Sequence, residues 1–386
     1  MMHPVVGHRS ARASLARARD EMTLPSALLI LGPRGIGKQR LALWISQLLL
    51  CTSRDGGEPC SQCRNCRRVL RLEHPDLHWF LPVVRPKGVS ADKLAQALEE
   101  ARHERLAEFR DTPVRSSHSE EPAAIYLAAA QELRRRARTR PAEAGEQLFI
   151  VADAESLVPQ ESSPEAANAL LKLLEEPPPD TRFILTSSEP GRLLDTIRSR
   201  TVPLHLSPLT LPEVTAFLIE LGTDPDAAKK AAALSAGSIG MALGFLPDDG
   251  GEPGPLDRLR RRAFEILRAG LSRNPGDGYS LALGFKVTGA RGLVPLLDFL
   301  EIWIRDLAAV AAGAGDLLVN EDAGEYLRKA VEELGLHPAV VSEAVAVVER
   351  SRREARGNVN PQLIVAGLVA RLQQTLLSSP LAGSPS

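Results

Sequence analysis

The first clear apolar run in the chain is ALLIL (27–31), five hydrophobic residues that stop at a glycine. A run this short, with no polar interruption, predicts a strand buried on both faces. After GPRGIG comes KQRLALWISQLLL (38–50), whose length and period predict a helix. The alternation returns further on. QLFIVADAE (147–155) predicts a second buried strand, and AANALLKLLEEPPPD (166–180) a helix with Ala166, Leu170, Leu173 and Leu174 on one face. Ser163 and Pro164 supply an N-cap and a first-turn proline for that helix, and the prolines from Pro177 end it. RFILTSSEP (182–190) then reads as a strand, GRLLDTIRSR (191–200) as a short helix and TVPLHL (201–206) as a last strand. Strands and helices in alternation predict an α/β fold, a mostly parallel sheet with helices on both faces.

Beyond the last strand the period changes. LTLPEVTAFLIELG (209–222) opens with a capping box, Thr210 and Glu213, and begins a small helical region that runs to about Phe245. PDDGGEPGPL (247–256) reads as a linker and domain boundary, and 257–378 reads as almost wholly helical. The tail SSPLAGSPS (378–386) is expected to fray. Within the first half, 83–124 carries a charged helical stretch, SADKLAQALEEARHERLAEFR (90–110), and a polar segment, DTPVRSSHSEEP (111–122). LRRRARTR (133–140) is a basic run that reads either as a solvated helix face or as a contact for DNA phosphates.

Composition narrows the function classes. A chain of 386 residues, 44% hydrophobic and 25% charged, can bury two or three domain cores. A formal net charge of -1 provides no bulk positive field for nucleic acid, so any such contact is local. With no basic-then-apolar leader and no bilayer-length apolar run, the expected location is cytoplasmic.

All four cysteines, Cys51, Cys60, Cys63 and Cys66, fall within sixteen residues at C-x8-C-x2-C-x2-C spacing. In a reducing compartment four thiolates at this spacing predict a closed, structural zinc site; free buried thiols, or a redox pair with two spectators, are the competing readings. His74 and His78 lie nearby and would serve a metal only in place of a thiolate.

The glycine stretch between the first strand and helix fits a phosphate-binding loop, G-x4-G-K, with Gly32, Gly35, Gly37 and Lys38 in place. Its backbone N–H groups and the helix N-terminus would face phosphate oxygens, and Lys38 would reach the terminal phosphates of ATP or ADP. Gln39 stands where a hydroxyl would ligate magnesium, so binding without efficient hydrolysis is expected. Asp153, at the carboxyl end of the second strand, has the chemistry to hold magnesium through water. Ala154 follows it, where a water-polarising Glu would be needed, and Glu155, one residue late, reads as a surface side chain at a strand end.

The loop, the four-cysteine insert, NALLKLLEEPP (168–178) and IRSRT (197–201) together resemble the bacterial clamp-loader family of AAA+ proteins, over nearly the whole chain. The resemblance implies an AAA+ core at 1–207 holding the zinc module 51–66, a helical lid at 208–246 and an all-α collar at 257–378 where subunits associate. It places Val6, Gly7 and His8 by the adenine. Hydrolysing members carry Ser/Thr after the lysine, Asp-Glu after the second strand and an arginine in a lid Gly-Ser-x-Arg stretch. This chain has Gln39, Ala154 and Gly240 there, which points to the stationary, non-hydrolysing branch. Arg200 matches the family's Ser-Arg-Cys arginine, with Thr201 in place of Cys, and is implied to act in trans on a neighbour's nucleotide. The implied partners are gamma/tau- and delta-type subunits, the sliding clamp and primer-template DNA, within a DNA polymerase III holoenzyme. A working ATPase of the same family and a zinc-dependent nucleic-acid-binding protein with a relic loop are the alternative readings.

Overall fold

The computed structural model describes residues 2–54, 56–90, 92–111, 123–157, 164–248, 250–285, 290–357 and 359–377. The expected Ser163 cap, nearly all of the 111–122 segment and the 378–386 tail lie outside these residues. The chain forms two compact units, divided between Gly244 and Phe245.

The first unit is built on five strands, β1 (Ala27–Leu31), β2 (Leu77–Phe80), β3 (Gln147–Val151), β4 (Thr181–Ser187) and β5 (Val202–His205). They pair in the order β2-β3-β4-β1-β5, every pair parallel. The glycine loop therefore leaves an interior strand flanked by β4 and β5. The helices are α1 (Arg9–Asp20), α2 (Lys38–Leu50), α3 (Arg64–Leu70), α4 (Leu94–Asp111), α5 (Leu127–Arg136), α6 (Glu165–Glu175) and α7 (Asp195–Arg198), followed by α8 (Leu211–Glu220), α9 (Pro225–Leu234) and α10 (Ile239–Phe245).

Alternation along β1 explains the layering. Leu28 and Ile30 pack with Leu15, Leu41, Leu48, Leu98 and Leu106 of α1, α2 and α4. Ala27, Leu29 and Leu31 pack on the opposite face with Leu133, Leu170 and Ile197 of α5, α6 and α7. Both faces of the strand are dry, which is why it reads as an unbroken apolar run.

β2 and α1 are among the elements that escape the sequence pattern. β2 has only four residues, one of them the half-buried His78, and α1 is an arginine-rich helix with a single buried residue, Leu15. The second strand is also shorter than expected: β3 stops at Val151, Asp153 turns with φ 48°, and Ala154–Leu157 form a 3-10 turn.

The second unit contains α11 (Pro255–Gly270), α12 (Gly276–Leu283), α13 (Val294–Ala311), α14 (Gly324–Leu334), α15 (Pro338–Arg356) and α16 (Pro361–Leu377), with no strand among its described residues. Its buried polar centre is Asp306, 0% exposed, which accepts from the N–H groups of Val319 (3.1 Å) and Asn320 (2.8 Å) and from Asn320 Nδ2 (2.7 Å). Asn320 in turn accepts from Arg260 Nε at 2.6 Å, and the Arg260 guanidinium lies over Trp303. Asp306→Ala orphans these donors together, so urea unfolding of the full chain should show the helical unit destabilised by about 3 kcal/mol; a loss below about 1 kcal/mol would mean that water replaces the carboxylate.

Candidate phosphate loop, cysteine cluster and Arg200

The loop from Gly32 to Gly37 joins β1 to α2 and is held by its carbonyls. Lys38 Nζ donates to Gly32 O (2.8 Å) and Pro33 O (2.7 Å), Ser238 Oγ to Arg34 O (2.8 Å), the Gly240 N–H to Gly35 O (3.0 Å) and His8 Nε2 to Ile36 O (2.6 Å). With the carbonyl side tied down, the N–H side faces the other way, and Gly37, φ 102°, precedes α2 without a side-chain cap. Only glycine adopts that φ without strain, and an uncapped first turn presents the donors an anion needs.

Lys38 folds back onto its own loop. Only 5% exposed, it places its third donor bond on Ser188 Oγ at 2.8 Å. Burial holds its ammonium down to about 8, against the pull of Asp153 and Glu155. Gln39 turns its amide toward the acid, Nε2 donating to Asp153 Oδ2 at 3.3 Å. Burial, reinforced by Glu155, raises the Asp153 carboxyl above its ordinary value.

Glu155 corrects the sequence reading. It is 2% exposed rather than on the surface, because the 3-10 turn after β3 folds it inward, where Oε1 accepts the Ser188 N–H at 3.1 Å. Ala154 is fully buried in the core and offers no polar group.

Gly35, Gly37, Lys38, Gln39 and Asp153 line one cleft of about 350 Å³, while Gly32 contributes only its carbonyl, to Lys38. Val6 also lines the cleft, and Gly7, with φ 65°, packs against Leu209 and Glu213. The charged stretch 90–110, whose role the sequence leaves open, reaches this cleft: Arg105 and Phe109 of α4 form part of its wall. Phe109 stacks flat on Trp79 at 5.5 Å and Arg102 donates to Trp79 O at 2.9 Å, so the helix is fastened to β2. The only signal was the spacing of Leu98, Arg102, Leu106 and Phe109 on one helical face.

The four cysteine sulfurs lie within 4.8 Å of one another, with Cys51–Cys60 at 3.5 Å and Cys51–Cys63 at 4.0 Å. A tetrahedral ion with bonds of about 2.3 Å sets its sulfurs about 3.8 Å apart, so the cluster fits such an ion. Backbone N–H groups of Ser53, Cys60, Cys63 and Cys66 point at these sulfurs and favour thiolates. Burial opposes charge on Cys63, yet the Cys66 and Thr52 N–H groups draw it down to about 6; burial pushes Cys66 and Cys51 up. His74 and His78 are outside the cluster: His74 accepts the Asp76 N–H at 3.2 Å, and His78 packs on Phe149.

Arg200 follows α7 and stands apart from the cleft lining. Its guanidinium binds Glu175 Oε2 at 3.2 Å and Thr196 O at 3.2 Å, so it is oriented by the end of α6. In the basic run, Arg135 and Arg136 both pair with Glu132, and Arg136 reaches Glu99.

The burial of Lys38 has a measurable consequence. The unfolded chain keeps this proton up to its ordinary 10.5, whereas the folded chain releases it near 8. Unfolding takes up a proton in between, so this residue's contribution makes stability rise from about pH 8 to 10.5. Lys38→Met should remove that rise from urea midpoints measured across the window; identical pH slopes in the two proteins would contradict the burial argument.

Comparison with known sequences agrees with this layout. Residues 7–210 match the family described as DNA polymerase III, delta subunit. DNA polymerase III subunit delta′ of Bacillus subtilis (strain 168) is 28% identical over 357 residues, 91% of this chain and 92% of that protein. The delta′ subunit of Escherichia coli (strain K12) is 28% identical over 91% of this chain and 89% of its own length. The gamma/tau subunit of Mycobacterium tuberculosis (strain ATCC 25618 / H37Rv) is 26% identical over 95% of this chain but 60% of that protein. No helix among the described residues is long and apolar enough to cross a membrane. With its family match spanning more than half its length, the chain belongs to the family of DNA polymerase III delta subunits, and its nearly full-length relatives include delta′ subunits.

Proposed function

We propose that this clamp-loader subunit acts as the stationary member of its ring: it turns over no ATP itself and supplies Arg200 to a neighbour's nucleotide. The observation that carries this reading is the state of the catalytic side chains. All three Lys38 donor bonds end on Gly32 O, Pro33 O and Ser188 Oγ, and the carboxylate that would hold a metal is bonded to Gln39. Ala154 supplies no base, and Gly240, in the place of the lid arginine, meets the loop through its backbone. Arg200 has the opposite character, a preoriented guanidinium at a helix end and outside its own chain's cleft. In trans it would stabilise charge on a transferred phosphoryl group.

The partners in this reading are gamma/tau- and delta-type subunits, with the sliding clamp and primer-template DNA met inside the assembly. The core, lid and collar are assigned to 1–207, 208–246 and 257–378, the last as the association domain. Zinc is the ion assigned to Cys51, Cys60, Cys63 and Cys66, because a closed four-thiolate shell suits a structural ion and leaves no position for substrate. Pairing of Arg135 and Arg136 with acids favours a solvated face over a DNA contact for that part of the basic run.

Purified chain should show no ATP turnover with or without primed DNA. In a complex reconstituted with the motor subunits, Arg200→Ala should lower DNA-stimulated turnover by about 10³-fold, the scale of an arginine finger; turnover unchanged by this variant would remove Arg200 from the mechanism. Metal analysis should return one zinc per chain, with Cys63→Ser losing it, and a folded wild-type chain without zinc would refute the structural site.

A further inference from the structure

We propose that the phosphate loop takes a nucleoside polyphosphate free of magnesium, with the Gln39 side-chain amide standing where the metal would bridge the phosphates to Asp153. This rests on the reading above that the loop has kept its binding shape and lost its catalysis.

A magnesium site here would need a hydroxyl after the lysine as one ligand and Asp153 behind the metal's water shell. Gln39 offers neither that hydroxyl nor room, since its Nε2 already donates to Asp153 Oδ2 at 3.3 Å. A primary amide carries two N–H donors. One donates to Asp153, and in this proposal the second serves an anion at the start of α2, where the first turn has no side-chain cap. A neutral two-donor group thus joins phosphate to carboxylate, the connection a hydrated cation makes elsewhere.

Charge is the second requirement, because a polyphosphate without its metal keeps its full negative charge. The cleft answers with four cationic side chains, Arg34, Lys38, Arg40 and Arg105, against one lining carboxylate, Asp153. Arg34 also pairs with Glu189, and Arg105 with Glu108, at the rim. Arg105 comes from α4, so the segment 90–110 would contribute to phosphate recognition in the same chain.

The test is a titration of fluorescent ADP into the full-length protein, in EDTA and in excess magnesium, for wild type, Gln39→Thr and Lys38→Ala, with circular dichroism to confirm folding. Wild type should bind with a Kd that changes less than about threefold between the two buffers, and Gln39→Thr should gain about tenfold or more from magnesium. Lys38→Ala should bind weakly in both. Wild-type binding that collapses in EDTA overturns the proposal, and so does wild-type protein that binds in neither buffer. That second result would leave the stationary-subunit reading standing, because Arg200 tests it in the reconstituted complex without reference to this site.

Discussion

Five consecutive carbonyls, from Gly32 to Ile36, accept hydrogen bonds from Lys38, Ser238, Gly240 and His8, and the arrangement of the first unit turns on them. Each such bond is worth only about 1 kcal/mol net, but leaving one buried carbonyl bare would cost more. The donors come from α2, from Ser238 and Gly240 at the start of α10, and from His8, which precedes α1. The loop is therefore a junction, and its shape is set whether or not a phosphate is present. In a motor the same loop must respond to its ligand; here its lysine and its carboxylate already have protein partners.

The cysteine cluster bears on that junction. Glu58, in the loop between Cys51 and Cys60, accepts from Trp44 Nε1 of α2 at 2.7 Å and lies 3.7 Å from Arg12 of α1. Arg54, in the same loop, donates to Asp20 at the end of α1 at 2.7 Å. A structural ion at the cysteines would thus brace the two helices that frame the phosphate loop, α1 carrying the approach to His8 and α2 carrying Lys38 and Gln39. Such an ion would have a physical task far from any chemistry of its own.

Arg200 belongs to a different part of the unit. Its partner Glu175 closes α6, and α6 is fixed by Leu170, Leu173 and Leu174 against the sheet face opposite α2. A half-buried arginine still loses side-chain entropy when its geometry is fixed, and the pair of contacts to Glu175 and Thr196 reduces what remains to be lost when it meets a ligand. A site without a base in cis and a preoriented guanidinium elsewhere would suit a subunit whose role is exercised on a neighbour.

Local chemistry made much of this legible in the sequence. Buried strands such as ALLIL, the glycine loop, the capping box at Thr210 and Glu213, the cysteine spacing and the loss of a hydroxyl at Gln39 are properties of short segments, and each needs only its own neighbours to be read. The tertiary structure decided what depends on distant residues meeting. It turned Glu155 inward to the Ser188 N–H, folded Lys38 back onto its own loop, set Gln39 against Asp153 across 114 positions and brought Arg105 of α4 to the cleft. Side-chain direction and burial follow from long-range packing and from the need to satisfy buried polar groups, and no window along the chain contains those terms.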